Sequence, residues 1–219
     1  MTSNPMPSPP RRGTWQSLAE QVLDGTPIDR DEALAILRCP DDQLLELLSA
    51  SFQIRSRWFG KTVQLYFLMN AKSGLCAEDC SYCSQSKTSE AEIPKYNLLD
   101  RQQLMQGAKA AAERNAGTYC IVISGRAPTN RELLAVETLV PEIKEQFDLK
   151  ICACLGLLDD EQAQRLKAAG VDRVNHNLNT SESFYGEICT THTYQDRVDT
   201  LQAVRNSGME LCSGGIIGM

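Results

Sequence analysis

Histidine is close to absent: His176 and His192 are the two in 219 residues, so a metal site has to draw mainly on sulfur. Long apolar runs are missing as well. None approaches the roughly 18 residues of a membrane span, which argues against a membrane protein. Positive charge is not in excess, with 22 Lys and Arg against 28 Asp and Glu and a net charge of −6. A nucleic-acid binder would need a basic stripe. The first residues, MTSNPMPSPPRRGTW, hold two arginines but no apolar stretch behind them, so residues 1–13 read as a disordered leader and not a secretion signal. Nine cysteines without such a signal point to a reducing, cytoplasmic setting, where thiols serve metals or catalysis more often than disulfides. An odd count also disfavours a purely disulfide framework.

What is present is a packed-core composition, 42% apolar and 23% charged. Residues 14–60 read as an N-terminal helical segment. Ile28–Cys39 carries a capping-box pattern, Asp29 with Glu32 three residues on, and Leu44, Leu45, Leu48 and Phe52 share one helical stripe. A strand-like run, TVQLYFLM, covers 62–69. Further β-rich segments fall at 118–123, 149–154, 171–176 and 209–213, with helical patterns between them. Three of those patterns end at Gly117, Gly170 and Gly208, as a helix C-terminus prefers. Asp159 followed by Gln162 marks another helix start. This βα repeat implies parallel strands with right-handed crossovers. A doubly wound sheet and a (β/α)8 barrel both fit. The first strand is not followed by GxGxxG, so the barrel is preferred. Five strands are visible in 61–219, and a closed barrel needs roughly 250 residues. The expectation is therefore an incomplete α/β TIM barrel, about five of eight βα units, behind N-terminal helices.

The first strand leads into GLCAEDCSYCSQS, where Cys76, Cys80 and Cys83 have no fourth cysteine nearby. Three readings are open. The spacing is one face of a helix, although the polar neighbours Glu78, Asp79, Ser81, Ser84 and Gln85 do not suit a core. Zinc would need a distant further ligand, without the usual paired CxxC knuckles. A [4Fe–4S] cluster on three thiolates leaves one iron open for a small molecule. Three more cysteines, Cys120, Cys152 and Cys212, sit on strands two, three and five. Each alone fits a buried thiol, and together an inward-facing layer of a barrel would make them a second metal site. The fourth strand ends in VNHNLNTSESFYG. Asn175, Asn177 and Asn179 alternate onto one side, where amides suit a ligand with urea or ribose groups, and the alternative is a loop with a helix cap at Thr180 or Ser181.

The motif CxxxCxΦC, with Tyr82 as Φ, resembles that of the radical S-adenosylmethionine (AdoMet) enzymes, which place it after the first strand of a full or partial barrel. The resemblance implies a [4Fe–4S] cluster on Cys76, Cys80 and Cys83, whose open iron takes AdoMet and cleaves it to a 5′-deoxyadenosyl radical. Tyr82 would pack near the adenine. From about Ser56 to Met219 the chain is similar, more narrowly, to the biotin synthase family, through GLCAEDCSYCSQS, YCIVISG, ICACLG, LCSGGIIG and NHNLNTSESFYG. That likeness implies a sulfur-donating [2Fe–2S] cluster on Cys120, Cys152 and Cys212. It implies dethiobiotin held by Asn175 and Asn177, and AdoMet touched by Asn177 and Asn179. Many relatives have Asp at the position of Asn179, so AdoMet would be held there without charge assistance. Radical attack on dethiobiotin carbons, with sulfur inserted from the cluster, would give biotin. A flavodoxin- or ferredoxin-type electron donor and a homodimer of the full-length protein follow from the same likeness.

In that family the fourth [2Fe–2S] ligand is an arginine on the seventh strand, and a further substrate asparagine lies on the sixth. Both would fall beyond Met219. The chain alone is therefore expected to expose open strand edges, to be unstable and to lack turnover. Cys39, Cys154 and Cys189 match no cluster position. Cys154 shares strand parity with Cys152, as a reserve ligand or as core or rim filler. His176 is expected to point away from the asparagines and pack against a helix, His192 to be solvated or capping, and Arg126 to lie on the rim or the plain surface.

Overall fold

The computed structural model describes residues 14–219, so the expected leader, residues 1–13, lies outside the described residues. The chain divides into two compact units, one ending at Val63 and the other Gln64–Met219.

The first unit holds three helices, α1 (Thr14–Leu23), α2 (Arg30–Leu37) and α3 (Leu44–Phe59). The capping box at α2 is formed as the sequence requires. The Asp29 carboxylate accepts from the Glu32 amide at 2.8 Å, and the Glu32 carboxylate accepts from the Asp29 amide at 2.8 Å. The buried stripe of α3 differs from the expected one. Ala50 packs with Trp15 and Ala19 of α1, flanked by Leu47 and Ile54, while Leu44, Leu45, Leu48 and Phe52 do not join this cluster. The stripe i, i+3, i+7 through Leu47, Ala50 and Ile54 is also apolar, and its central alanine lets the two helices approach closely.

The second unit is a five-stranded parallel sheet in the order β1-β2-β3-β4-β5. The strands are β1 (Tyr66–Lys72), β2 (Thr118–Ile123), β3 (Lys150–Cys154), β4 (Arg173–Asn175) and β5 (Glu210–Cys212). Between them run α4 (Arg101–Glu113), α5 (Asn130–Gln146), α6 (Asp160–Ala168), the single turn α7 (Tyr185–Ile188) and α8 (Tyr194–Asn206). Sequential neighbours in a parallel sheet, each joined through a helix, give the barrel-type winding that the repeat implied. Strand β1 starts four residues later than the apolar run suggested, because pairing with β2 begins at Tyr66 opposite Thr118. Helix α4 takes its left-handed residue at Asn115 (φ 55°), and Gly117 has no positive φ, whereas Gly170 and Gly208 take it as expected.

The register decides which side chains are core. Tyr119 pairs with Ile151, and Ile121 with Ala153, which in turn pairs with Val174, on the face the helices cover. There they meet Leu104, Ala108, Leu133, Val136, Val140, Ile143, Leu166 and Val204, nearly all fully buried. The buried Tyr119 hydroxyl is satisfied, donating to the Leu104 carbonyl at 3.0 Å. The alternate rows face the other way. Arg173 on β4 lies over the Tyr66 ring on β1, 5.7 Å from its centroid, and hydrogen-bonds its hydroxyl. Strands three apart stand about 14 Å from one another in a flat sheet. Two side chains meeting across that span show the helix-free face to be concave.

Turn chemistry is tight at Gly156 (φ +88°), just beyond β3, where a Cβ would stand 2.4 Å from the Arg126 carbonyl oxygen. Gly208 (φ +75°) has nothing within 4 Å. Replacing Gly208 by Ala should cost about 1 kcal/mol, the left-handed penalty alone. Gly156→Ala, which adds a backbone clash, should cost about 3 kcal/mol or more. Urea midpoints of the two variants check the order, and equal losses would contradict the geometry.

Candidate active site

The cysteines of the two expected cluster sets lie on the concave face of the sheet or on the loop after β1. Leu68, Cys120, Cys152, Arg173 and Glu210 make one row across the sheet. Two residues further on, Asn70, Val122 and Cys154 make the next, and the Asn175–Cys212 pair continues it. The expected single layer of cysteines is therefore two adjacent rows, Cys120 and Cys152 in one and Cys212 in the other, because β5 meets β4 with Cys212 opposite Asn175 and not opposite Arg173. Cys120 and Cys152 are 8% and 3% exposed. The two thiols act on each other, which drives Cys120 far up and Cys152 down from the ordinary thiol pKa. The Asn175 amide donates to Cys212 Sγ at 3.2 Å, joining an asparagine to the cysteine set.

The loop after β1 is tied down at several points. Lys72, at the strand end, is paired with Glu132 at 2.8 Å, and Glu132 also closes the capping box of α5 with Thr129. The Tyr96 hydroxyl donates to the Asn70 carbonyl at 2.7 Å, and the Gly74 amide to Gln85 Oε1 at 3.0 Å. Asp79 makes the long-range clamp. Its carboxylate accepts from the backbone amides of Thr190 and Thr191 at 2.9 and 3.3 Å and from the Thr190 hydroxyl. Those bonds, Thr190 first, hold the Asp79 carboxyl far below the usual carboxylate range. The Ser81 amide adds a bond to the Ile188 carbonyl at 2.9 Å.

Cys76, Cys80 and Cys83 all line one cavity of about 260 Å³. Tyr82, Asn175, Asn177, Asn179, His176, Cys154 and Arg197 share its wall. Burial raises the Cys76 thiol, and burial together with the neighbouring Cys189 pushes Cys80 up to about 12. Burial takes Cys154 up to about 11. The three asparagines meet at this cavity, but not by strand alternation. Strand β4 ends at Asn175, and Asn179 is in the left-handed region (φ 68°) that asparagine tolerates. The Asn179 backbone continues the β4–β5 pairing through Gly214 and Ile216, and its side-chain amide donates to the Asn177 carbonyl at 3.3 Å.

Both histidines depart from expectation. His176 lines the asparagine cavity at 5% exposure, and its Nε2 has no hydrogen-bond partner among the described residues. His192 is neither solvated nor a cap. It is buried, with Nδ1 on the Glu78 carboxylate and Nε2 2.9 Å from the Tyr185 hydroxyl. Arg126 lines the cavity and donates to the Thr191 carbonyl. Sequence reasoning missed Glu78, Tyr185 and Arg197. Arg197 reaches the cavity from α8, donating to the Asn177 carbonyl at 2.9 Å and to the Tyr185 hydroxyl. An arginine four residues into α8, on the face toward the loops, was the available signal.

The radical SAM superfamily sequence model matches residues 72–219, from the end of β1 onward. The chain belongs to that superfamily. It is 66% identical over 212 residues to the biotin synthase of Rhodopirellula baltica, covering 97% of this chain and 58% of that protein. It is 55% identical over 205 residues to the biotin synthase of Bacillus subtilis, covering 94% and 61%. It thus spans about three fifths of the length of these curated relatives. Among solved structures, methylornithine synthase superposes with a TM-score of 0.81 at 20% identity, covering 92% of this chain and 59% of that one. The FeFe-hydrogenase maturase HydG of Carboxydothermus hydrogenoformans gives 0.75 at 19%, covering 92% and 48%. These two show the shared fold. Radical SAM membership implies a [4Fe–4S] cluster and AdoMet, and the residues fit: three thiols converge on one cavity whose wall also offers amides and an unpartnered buried imidazole nitrogen. No described helix is long and apolar enough to cross a membrane.

His176 supplies a pH test. Burial, helped by Arg197 and His192, lowers its pKa to about 3. A histidine buried neutral binds fewer protons than its unfolded counterpart. Its stability contribution is complete above the unfolded value near 6.5 and is lost as pH falls from there toward 3. Unfolding free energy should therefore drop by up to about 1.4 kcal/mol per pH unit more in the native chain than in His176→Asn, between about pH 6 and pH 5. Parallel pH slopes in urea titrations of the two proteins would remove His176 as the cause.

Proposed function

We propose that this chain forms the cluster- and AdoMet-binding part of a biotin synthase, which converts dethiobiotin to biotin by radical sulfur insertion. The observation that carries the reading is a juxtaposition. Three loop cysteines share a cavity with a run of asparagines, and one of those asparagines, Asn175, hydrogen-bonds Cys212 of the strand set, whose Cys120 and Cys152 stand on the same sheet face. The identity of 55 to 66% with curated biotin synthases points the same way.

In this reading Cys76, Cys80 and Cys83 hold the [4Fe–4S] cluster, and Cys120, Cys152 and Cys212 hold a [2Fe–2S] cluster. When bound, the first supplies the electron that cleaves AdoMet to a 5′-deoxyadenosyl radical, and the second supplies the sulfur. The chain's own residues do the rest. Tyr82, Asn177 and Asn179 orient AdoMet, with Asn179 held by its left-handed backbone and its bond to Asn177. Asn175 and Asn177 orient dethiobiotin. The hydrogen bond from the Asn175 amide to Cys212 Sγ supports a substrate anchor beside the sulfur donor's ligands. Burial of Cys120 and Cys152 keeps water from the carbon radical's path. The raised thiol pKa values of Cys76 and Cys80 mean that both carry protons at neutral pH in the free chain, so metal loading releases protons and weakens as pH falls. Electrons would come from a flavodoxin- or ferredoxin-type donor in the cytoplasm, and the full-length protein would work as a homodimer.

Anaerobic reconstitution of the chain with iron and sulfide tests the assignment. Visible and EPR spectra should show both cluster types. Cys83→Ser should remove the reducible [4Fe–4S] signal and leave the other, and Cys152→Ser should do the reverse. A single cluster type insensitive to Cys152→Ser would point to another radical AdoMet reaction, and no iron–sulfur signal at all would end the proposal.

A further inference from the structure

Three donors that the reading above leaves aside or uses otherwise meet beneath the loop, with Glu78 hydrogen-bonded to one of them. Cys80 and Glu78 come from the segment after β1. Cys189 and His192 come from the turn after α7. Cys189 Sγ is 3.7 Å from Cys80 Sγ and 3.2 Å from His192 Nδ1. The Cys80, Cys189 and His192 donor atoms all lie within 4.8 Å of one another, and all three residues are buried. The Glu78 carboxylate sits on His192 Nδ1 and is itself buried.

The spacings of Cys189 Sγ from Cys80 Sγ and from His192 Nδ1 are close to those of a single tetrahedral ion. With Zn–S bonds of about 2.3 Å and Zn–N of about 2.05 Å, tetrahedral angles put two thiolates about 3.8 Å apart and a thiolate and imidazole nitrogen about 3.6 Å apart. The second shell is in place too. A ligating histidine gives its other N–H to a fixed acceptor, and Nε2 has the Tyr185 hydroxyl at 2.9 Å. The Tyr185 oxygen is held in turn by a bond from Arg197. The segments are already clamped to each other through Asp79, Thr190 and Thr191.

We propose that the cluster-free chain binds one zinc-class divalent ion through Cys80 Sγ, Cys189 Sγ and His192 Nδ1, with solvent as the fourth ligand. The ion displaces one proton from each thiol, and the ring proton of His192 moves from Nδ1 to Nε2, where the Tyr185 oxygen accepts its hydrogen bond. No electrons are transferred. Because Cys80 is also a [4Fe–4S] ligand in the proposed function, on which this part rests, the ion and the cluster exclude each other. The site would hold two adjacent thiols ligated until the cluster is assembled.

Cobalt(II) titration of the reduced, iron-stripped chain under anaerobic conditions tests the site. One equivalent should give tetrahedral d–d bands with charge transfer from two thiolates, and zinc should displace it. Cys189→Ser should halve the charge-transfer intensity and weaken cobalt affinity at least about tenfold, the scale seen even for outer partners of a metal site. His192→Gln should weaken it similarly. An octahedral spectrum, or affinities unchanged in both variants, overturns the proposal. If a variant fails to fold, the unsubstituted chain decides: one equivalent of zinc should shield Cys80 and Cys189 from maleimide, mapped by mass spectrometry, and equal labelling with and without zinc overturns the site. Reconstitution separates the two readings. Zinc-loaded native chain should resist [4Fe–4S] formation while Cys189→Ser accepts the cluster in the presence of zinc. A cobalt site without any cubane in the zinc-free chain would sink the proposed function and leave the ion site standing.

Discussion

The two-residue alternation of the parallel sheet is the constraint from which the rest of this molecule follows. Odd-numbered residues of β2 and β3, Tyr119, Ile121, Ile151 and Ala153, are buried under the helices. Even-numbered ones, Cys120, Val122, Cys152 and Cys154, face the concave side. A slip of one residue in either strand would turn a thiol into the helix-packed core and an isoleucine into the site. Apolar packing on one face thus fixes the position of sulfur on the other. Polar groups on the concave face are paired across strands, as Arg173 is with Glu210 and Asn175 with Cys212.

The loop above the sheet has no such ladder, and polar side chains do the work in its place. Asp79 reaches across more than one hundred residues to Thr190 and Thr191, and Glu78 to Thr191 and His192. Both carboxylates lie between cysteines of the CxxxC stretch, so the polarity that argued against a core helix there has a structural purpose. The same bonds that shape the loop bring the turn after α7 beneath it. Cys189 becomes a neighbour of Cys80 in this way, without any local sequence relation between them.

How far the sequence was legible tracks how local each cause is. The run TYCIVI coincides with β2 from first residue to last, because β-branched and apolar residues are bounded by Gly117 and by Ser124–Gly125. The starts at Asp29 and Asp159 were readable from a capping box three residues wide, and both boxes are formed. Alternation misled beyond Asn175, where pairing gives way to a left-handed residue at Asn179 that no periodicity announces. Helix α7, four residues long, is too short to show a period. The roles of Glu78, Cys189 and His192 depend on tertiary approach across more than one hundred residues. Cys189 and His192, three apart, were visible as a pair only once a turn had folded them toward the cysteine loop.

The charge balance of the cavity then explains why thiols this close can be gathered at all. Burial raises Cys76 and Cys80, so bringing their ionised forms together opposes desolvation and mutual repulsion. Of the two carboxylates in this stretch, Asp79 is occupied by the Thr190–Thr191 amides, while Glu78, bonded to His192 and Thr191, still adds to the rise at Cys76. Two guanidinium groups remain on the cavity wall, Arg126 and Arg197, each positioned by a backbone carbonyl, of Thr191 and Asn177 respectively. Arg197 already lowers the Cys80 thiol against the effect of burial. A cavity lined by several thiols thus has its two arginines directed inward. The arginine on α8 belongs to the electrostatics of the loop as much as the cysteines do.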